Sequence, residues 1–299
     1  MPSSSECIAW MTVGLVECVA IVTLNLCTIM FLRRNRNLRK RSTYLVINLA
    51  VIDMLVGGIV VYDLFYRPGV VCNYWKWLSI EEEKFYFMLG IVWLLPLGSL
   101  VNIAIIALER VHATFFPFEH LGLKKWLYRL LIAVVWVIPG SITTSFILLT
   151  LSEETVLCGL YMYGTSAFIC ILINCVSYTS IVIKVRVGAQ LQRHGAAGRE
   201  RKLTMTLLIM TVVSMLLYLP PVLHHYAILI TKFEIVRSLS PSTAFHLSNA
   251  SLFLFYANSL VNPVLYAIRI PEYRSAVLGL FFKRPQQQRQ VTAFPLRDM

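Results

Sequence analysis

Asn258-Ser259-Leu260-Val261-Asn262-Pro263-Val264-Leu265-Tyr266, followed by Arg269 and Tyr273-Arg274, lies in an apolar run from Pro241 to Ile268 that is long enough to cross a bilayer. At that depth Asn258, Ser259 and Asn262 lose hydrogen bonds to water and need partners inside the protein. Pro263 removes a backbone donor and frees a carbonyl one turn back. Polar groups kept there mark a functional interior. The plainer alternative is a kinked helix whose Asn and Ser side chains glue it to its neighbours.

Apolar residues make up 58% of the chain and charged residues 14%, an imbalance that a soluble domain of this length does not need. The formal charge of +12 raises the question of nucleic acid. No basic domain stands apart from the apolar runs, however, so no nucleic-acid partner is expected and a lipid bilayer is. Seven apolar segments can be counted: Ile8 to Leu32, Thr43 to Tyr66, Lys84 to His112, Trp126 to Leu151, Leu160 to Val185, Leu203 to Ile230 and Pro241 to Ile268. No positive residue precedes the first and no small-residue cleavage pattern follows it, which reads as a retained span. Neither a myristoylation pattern nor a prenylation Cys is present. Most connections are short, so sequence neighbours pack as neighbours in one bundle.

Orientation follows from Lys and Arg. The first connection carries Arg33, Arg34, Arg36, Arg39, Lys40 and Arg41, and the third carries Lys124 and Lys125. The fifth connection and the tail add clusters around Lys184 to Lys202 and Arg269 to Arg297, while the opposite side mixes its few cations with Glu81, Glu82, Glu83, Glu153, Glu154 and Glu234. The positive-inside rule places the N-terminus outside and the tail in the cytoplasm of a multi-pass cell-membrane protein. An odd number of spans is required, in agreement with seven. The expected domains are a bundle over residues 1–270 and, over 271–299, a tail that begins with an amphipathic helix from Glu272 to Phe282.

Asp53 lies inside the second span, and a bare carboxylate there costs at least a few kcal/mol. Its candidate partners are Ser99 in the third span and Asn258, Ser259 and Asn262 in the seventh. Such an oxygen-rich set suits a small hard cation with water, a proton, or a purely structural water network. Glu109-Arg110 closes the third span, where a guanidinium can reach a carboxylate on another helix. Glu200, at the start of the sixth span, is the expected partner; a contact of this kind holds two helices together until something else stabilises their separation. A snorkelling Arg explains Arg110 alone but not the whole set.

With Asn48-Leu49-Ala50-Val51-Ile52-Asp53, Glu109-Arg110-Val111 with Pro117, Asn25, Trp136, Tyr178 and Pro220 added, the chain resembles the rhodopsin-like (class A) G protein-coupled receptors over nearly its whole length. Each mark alone is weak; all seven in order are specific. The resemblance implies an all-α bundle of seven transmembrane helices with a short amphipathic helix after the seventh. It also implies an outward ligand pocket, an inward site for a heterotrimeric G protein, and a sodium-water pocket at Asp53, with no covalent cofactor. Arg110, Tyr178 and Tyr266 are implied to rearrange together as the sixth helix swings outward, with Tyr218 and Pro220 at the switch beneath the ligand.

The departures from the family pattern are informative. Val111 replaces the usual Tyr, and Leu217-Tyr218-Leu219-Pro220 replaces Cys-Trp-x-Pro. Ser214 stands for a Phe and Cys170 for a Pro. Phe85 stands where the family's outer disulfide has its first Cys. Cys72 with Cys158 is the expected substitute bridge, with free thiols or another pairing as the alternatives. Tyr256 occupies the Schiff-base Lys position of retinal-binding members, and Val92 the amine-binding Asp position. The implied outer pocket is lined by Asp63, Val92, Trp93, Pro96, Tyr218, His225, Leu252 and Tyr256. Asp63 and His225 there either bind a polar ligand or pair with each other or with water. The short N-terminus, Phe85 and Cys170 resemble the melanocortin, cannabinoid, lysolipid and adenosine branch.

Two other classes were weighed. An ion-coupled transporter would show internal repeats or matching broken helices, which are not found. An enzyme would need a nucleophile or metal cluster, which His224-His225 and the scattered His residues do not supply.

Overall fold

A computed structural model describes residues 2–34, 43–74, 82–150, 155–191, 197–231, 234, 238–269 and 273–275. Seven long helices run through these residues: α1 (Ser4–Arg34), α2 (Thr43–Val60), α4 (Glu82–Phe115), α6 (Lys125–Thr150), α7 (Val156–Leu191), α8 (Ala197–Ile230) and α9 (Pro241–Arg269). Two short helices, α3 (Arg67–Val71) and α5 (Pro117–Gly122), complete the order. No strand occurs among the described residues.

Each long helix overlaps one expected span, and several begin outside the apolar run because polar capping carries them into water. At the start of α1 the Ser3 hydroxyl accepts the Glu6 N–H at 3.3 Å, and Glu6 accepts the Ser3 N–H at 2.6 Å, a reciprocal capping box. At the start of α9 the Ser240 hydroxyl accepts the Thr243 N–H at 3.1 Å, with Pro241 in the first turn. Five of the helices are long and apolar enough to cross a membrane by composition alone. In α8 the described apolar stretch is the shorter Val212–His224, and α9 is diluted by its interior polar residues.

The packing order explains where the polar residues meet. α1 lies against α2 and α9, α8 lies against α7 and α9, and α4 runs between α2, α6 and α7. The centre is therefore shared by α2, α4 and α9. Pro263 is inside α9, and the carbonyl that it frees is that of Ser259. Asn25 of α1 donates its Nδ2–H to this carbonyl at 3.0 Å and to its own Ile21 carbonyl at 3.0 Å. The defect that proline makes in one helix is thus filled by a side chain of another.

The second span continues past α2 through a π-helical turn, Val61–Tyr66, into α3. That turn buries Asp63 and Leu64. α1 reaches it closely because Gly14 has no side chain: a Cβ there would stand 2.5 Å from Leu64 Cβ. The span ends on Asn73, whose φ of 63° places it in the left-handed region. There the Tyr74 N–H bonds to the Gly69 carbonyl at 2.8 Å and the Asn73 N–H to the Val70 carbonyl at 3.0 Å, a Schellman ending.

This ending presents Cys72 to α1, and the disulfide joins Cys72 to Cys7, with Cα atoms 6.4 Å apart. The expected Cys72–Cys158 bridge is corrected: Cys158 is an exposed free thiol on α7. α1 and α3 are direct neighbours, and that adjacency decides the pairing. Of the expected helix after the seventh span, Tyr273–Ser275 is helical and the rest lies outside the described residues. Tyr273 is buried against α1, its hydroxyl 2.7 Å from Thr28 Oγ1 and its ring edge-on to Phe31.

Candidate functional site

Asp53 is 0% exposed and stands where α2, α4 and α9 meet. Its Oδ1 accepts Ser99 Oγ at 2.7 Å and Ser259 Oγ at 3.1 Å, and its Oδ2 accepts Asn262 Nδ2 at 3.0 Å. Three of the four expected partners therefore bond to it directly. Asn258 does not: its fully buried carboxamide lies beside the Tyr218 hydroxyl and not the carboxylate. The carboxylate and the two serine hydroxyls form an oxygen-rich nest of the kind that suits a small hard cation with water.

Further polar contacts extend this seam. Trp136 Nε1 donates to Asn48 Oδ1 at 3.2 Å, and Asn102 Nδ2 to the Leu45 carbonyl at 3.2 Å, tying α2 to α6 and α4. Tyr218 of α8 is buried and packs edge-on against Phe255, their ring centroids 5.4 Å apart. Pro220, one turn-half further on, is exposed inside α8.

At the C-terminal end of α4, Arg110 Nε lies 3.1 Å from Glu109 Oε2. The Tyr128 hydroxyl of α6 donates to Glu109 Oε1 at 3.1 Å, and His120 Nε2 of α5 stands 3.3 Å from the same oxygen. Tyr178 of α7 is buried with Ala107 and Ile181, against Val111, so it flanks the helix turn that carries Arg110. The expected contact of Arg110 with Glu200 falls outside the described residues, because the Glu200 side chain is not among them; nor are those of Tyr266 and His225.

The half of the bundle that holds the N-terminus of α1 divides into two clusters. Asp63 accepts a hydrogen bond from the Tyr256 hydroxyl of α9, and Arg67 Nη1 stands 3.4 Å from its other oxygen. Val92 and Leu252 pack with Tyr256 and Leu64 in the same cluster. Trp93 belongs to the other cluster, its ring 5.2 Å from Phe146 and 4.6 Å from Tyr163, together with Tyr218. Pro96 is buried in α4 between the two. Of the eight expected pocket residues, Asp63, Val92, Leu252 and Tyr256 are thus brought together. Trp93 and Tyr218 face a second set of side chains.

Three features escaped the sequence. Glu17 of α1 is 3% exposed, with neither carboxylate oxygen hydrogen-bonded among the described residues; an acid inside the first apolar run was the available signal. His246 of α9 accepts the Trp10 indole N–H at 3.0 Å and approaches Glu6 Oε1 at 3.1 Å, clasping the outer ends of α1 and α9. The third is the His120 contact with Glu109, which no spacing rule predicts because α5 is a separate helix.

Residues 24–266 match the family model for the seven-transmembrane receptors of the rhodopsin family. The histamine H2 receptor of Rattus norvegicus is 26% identical over 317 residues, covering 93% of this chain and 82% of the relative. The histamine H2 receptor of Homo sapiens is 26% identical over 314 residues, covering 93% and 81%. The growth hormone secretagogue receptor type 1 of Sus scrofa is 22% identical over 329 residues, covering 97% and 83%. With the family match spanning most of the chain and the buried seam at its centre, this protein belongs to the rhodopsin-like family of G protein-coupled receptors, multi-pass membrane proteins that bind an extracellular ligand and signal through G proteins.

Proposed function

We propose that the chain sits with its N-terminus outside and its tail in the cytoplasm, and that the seam centred on Asp53 couples an outer ligand pocket to a cytoplasmic G-protein site at Arg110. The observation that carries this reading is the convergence of Ser99, Ser259 and Asn262 on a fully buried Asp53. These bonds join α4 and α9 to α2, so a change in the tilt of one helix must be answered by the others. A sodium ion with water at Asp53, held by the carboxylate and the serine hydroxyls, would stabilise the arrangement that it fits. The lysine and arginine distribution supports the orientation.

On the cytoplasmic side α5 leaves Phe118 87% exposed and Leu121 77% exposed, next to the helix end that carries Arg110. Large apolar side chains presented beside a switch residue suit a protein partner. On the outer side the ligand differs from the histamine that two relatives are named for. Val92 offers no carboxylate to an ammonium group, and Asp63 is already engaged by Tyr256 and Arg67.

The test is guanine-nucleotide exchange by purified heterotrimeric G proteins of each class, with the receptor in lipid nanodiscs. Exchange above that of the G protein alone is expected with at least one class, and Arg110→Ala should remove it. Equal exchange with wild type and Arg110→Ala would overturn the assignment of Arg110.

A further inference from the structure

Glu109 has one carboxylate and three partners on three helices: Arg110 Nε at 3.1 Å, Tyr128 Oη at 3.1 Å and His120 Nε2 at 3.3 Å. Behind His120 stands His112 of α4, the two Nδ1 atoms 3.4 Å apart. Two facing imidazole nitrogens hold one proton between them. A carboxylate opposite Nε2 assigns an N–H to that atom of His120. In the neutral pair the shared proton therefore sits on His112 Nδ1, and His112 Nε2 is left as a bare acceptor.

We infer that His120 is a positioning residue for Arg110: it takes up one cytoplasmic proton by way of His112 and thereby loosens the hold of Glu109 on Arg110. The inference rests on the reading of Arg110 as the G-protein switch. In the step, an N–H bond forms at His112 Nε2, the His112 Nδ1–H bond breaks, and an N–H bond forms at His120 Nδ1. One proton is taken from the solvent, His112 returns to neutral as the other tautomer, and the positive charge stays on His120. The carboxylate then divides its charge between two cations, and the new cation repels the guanidinium.

The surroundings favour that placement. Glu109 and Arg110 face the pair from α4, Glu119 neighbours His120 on α5, and Tyr128 reaches in from α6. Lys184 of α7 lies 5.5 Å from the Phe115 ring at the end of α4. Imidazole is the side chain whose charge ordinarily changes within the range that cytoplasmic pH can reach. Acidification raises resting output, and alkalinisation leaves Arg110 held.

The experiment measures ligand-free nucleotide exchange by the receptor in nanodiscs at pH 7.5 and 6.0, with exchange by the G protein alone subtracted at each pH. His120→Gln keeps an N–H donor toward Glu109 but cannot titrate. Wild type is expected to rise about threefold on acidification, the size of a weakened, partly solvated ion pair, and His120→Gln to stay flat. Parallel profiles would overturn the inference. The same receptor is followed by proton NMR of the imidazole C2–H resonances, which needs no G protein. Glu109→Gln should lower the His120 midpoint, because it removes a facing negative charge, and an unmoved midpoint would also overturn it. Failure of Arg110→Ala to change output, with the His120 midpoint still tied to Glu109, would instead locate the fault in the Arg110 reading.

Discussion

Asp53 shows how far a single residue can be read. A carboxylate inside an apolar run must find donors, and the polar residues available at its depth were few. Ser99, Ser259 and Asn262 could therefore be named from the sequence and are its hydrogen-bond partners. Asn258 was named by the same logic but lies beside Tyr218, one turn along α9 from Asn262 on nearly the same face, and so at another depth than the carboxylate. If the nest takes sodium, purified receptor should melt at a higher temperature in sodium chloride than in N-methylglucamine chloride. The gain should correspond to about 2.7 kcal/mol when sodium is at a hundred times its dissociation constant, and Asp53→Asn should erase it. The same salt response in wild type and variant would remove the cation site. Glu17 deserved the same treatment as Asp53, yet no donor on another helix was in register to draw notice to it.

Elements were legible wherever apolar length decides them. The seven runs became seven helices, of which α1, α4, α7 and α8 reach several residues beyond the apolar pattern; at the start of α1 the capping residue Ser3 satisfies the first turn. The π turn at Val61–Tyr66 was not legible, since one extra residue per turn leaves no mark in an unbroken apolar run. Beyond it α3 lies against α1, where Cys72 is bonded to Cys7 and not to Cys158. The bridge closes a loop across 65 residues. Cys72→Ser should therefore lower the free energy of unfolding by about 2–4 kcal/mol, visible as a lower melting temperature, whereas Cys158→Ser should leave it unchanged. Equal losses in the two variants would speak for the other pairing.

Taken as a whole molecule, the receptor has a buried, polar-threaded centre and two differently built ends. At one end the Cys7–Cys72 bridge and the Trp10–His246–Glu6 clasp fix α1 to its neighbours. The opposite end leaves Phe118 and Leu121 exposed and Arg110 lightly held by its own neighbour in sequence. Architecture was readable because bilayer thickness and charge asymmetry restrict a chain this apolar to few arrangements. The ligand was not readable, because most of the residues expected around it are ordinary packing residues distinguished only by what they face.

The central claim is that this buried seam transmits a rearrangement from one end of the bundle to the other. Pulsed EPR between spin labels at the cytoplasmic ends of α4 and α8, at positions 115 and 203, tests it most directly. Adding nucleotide-free G protein should lengthen the distance in wild type and leave it unchanged in Arg110→Ala. An identical distance distribution in wild type with and without G protein would contradict the account.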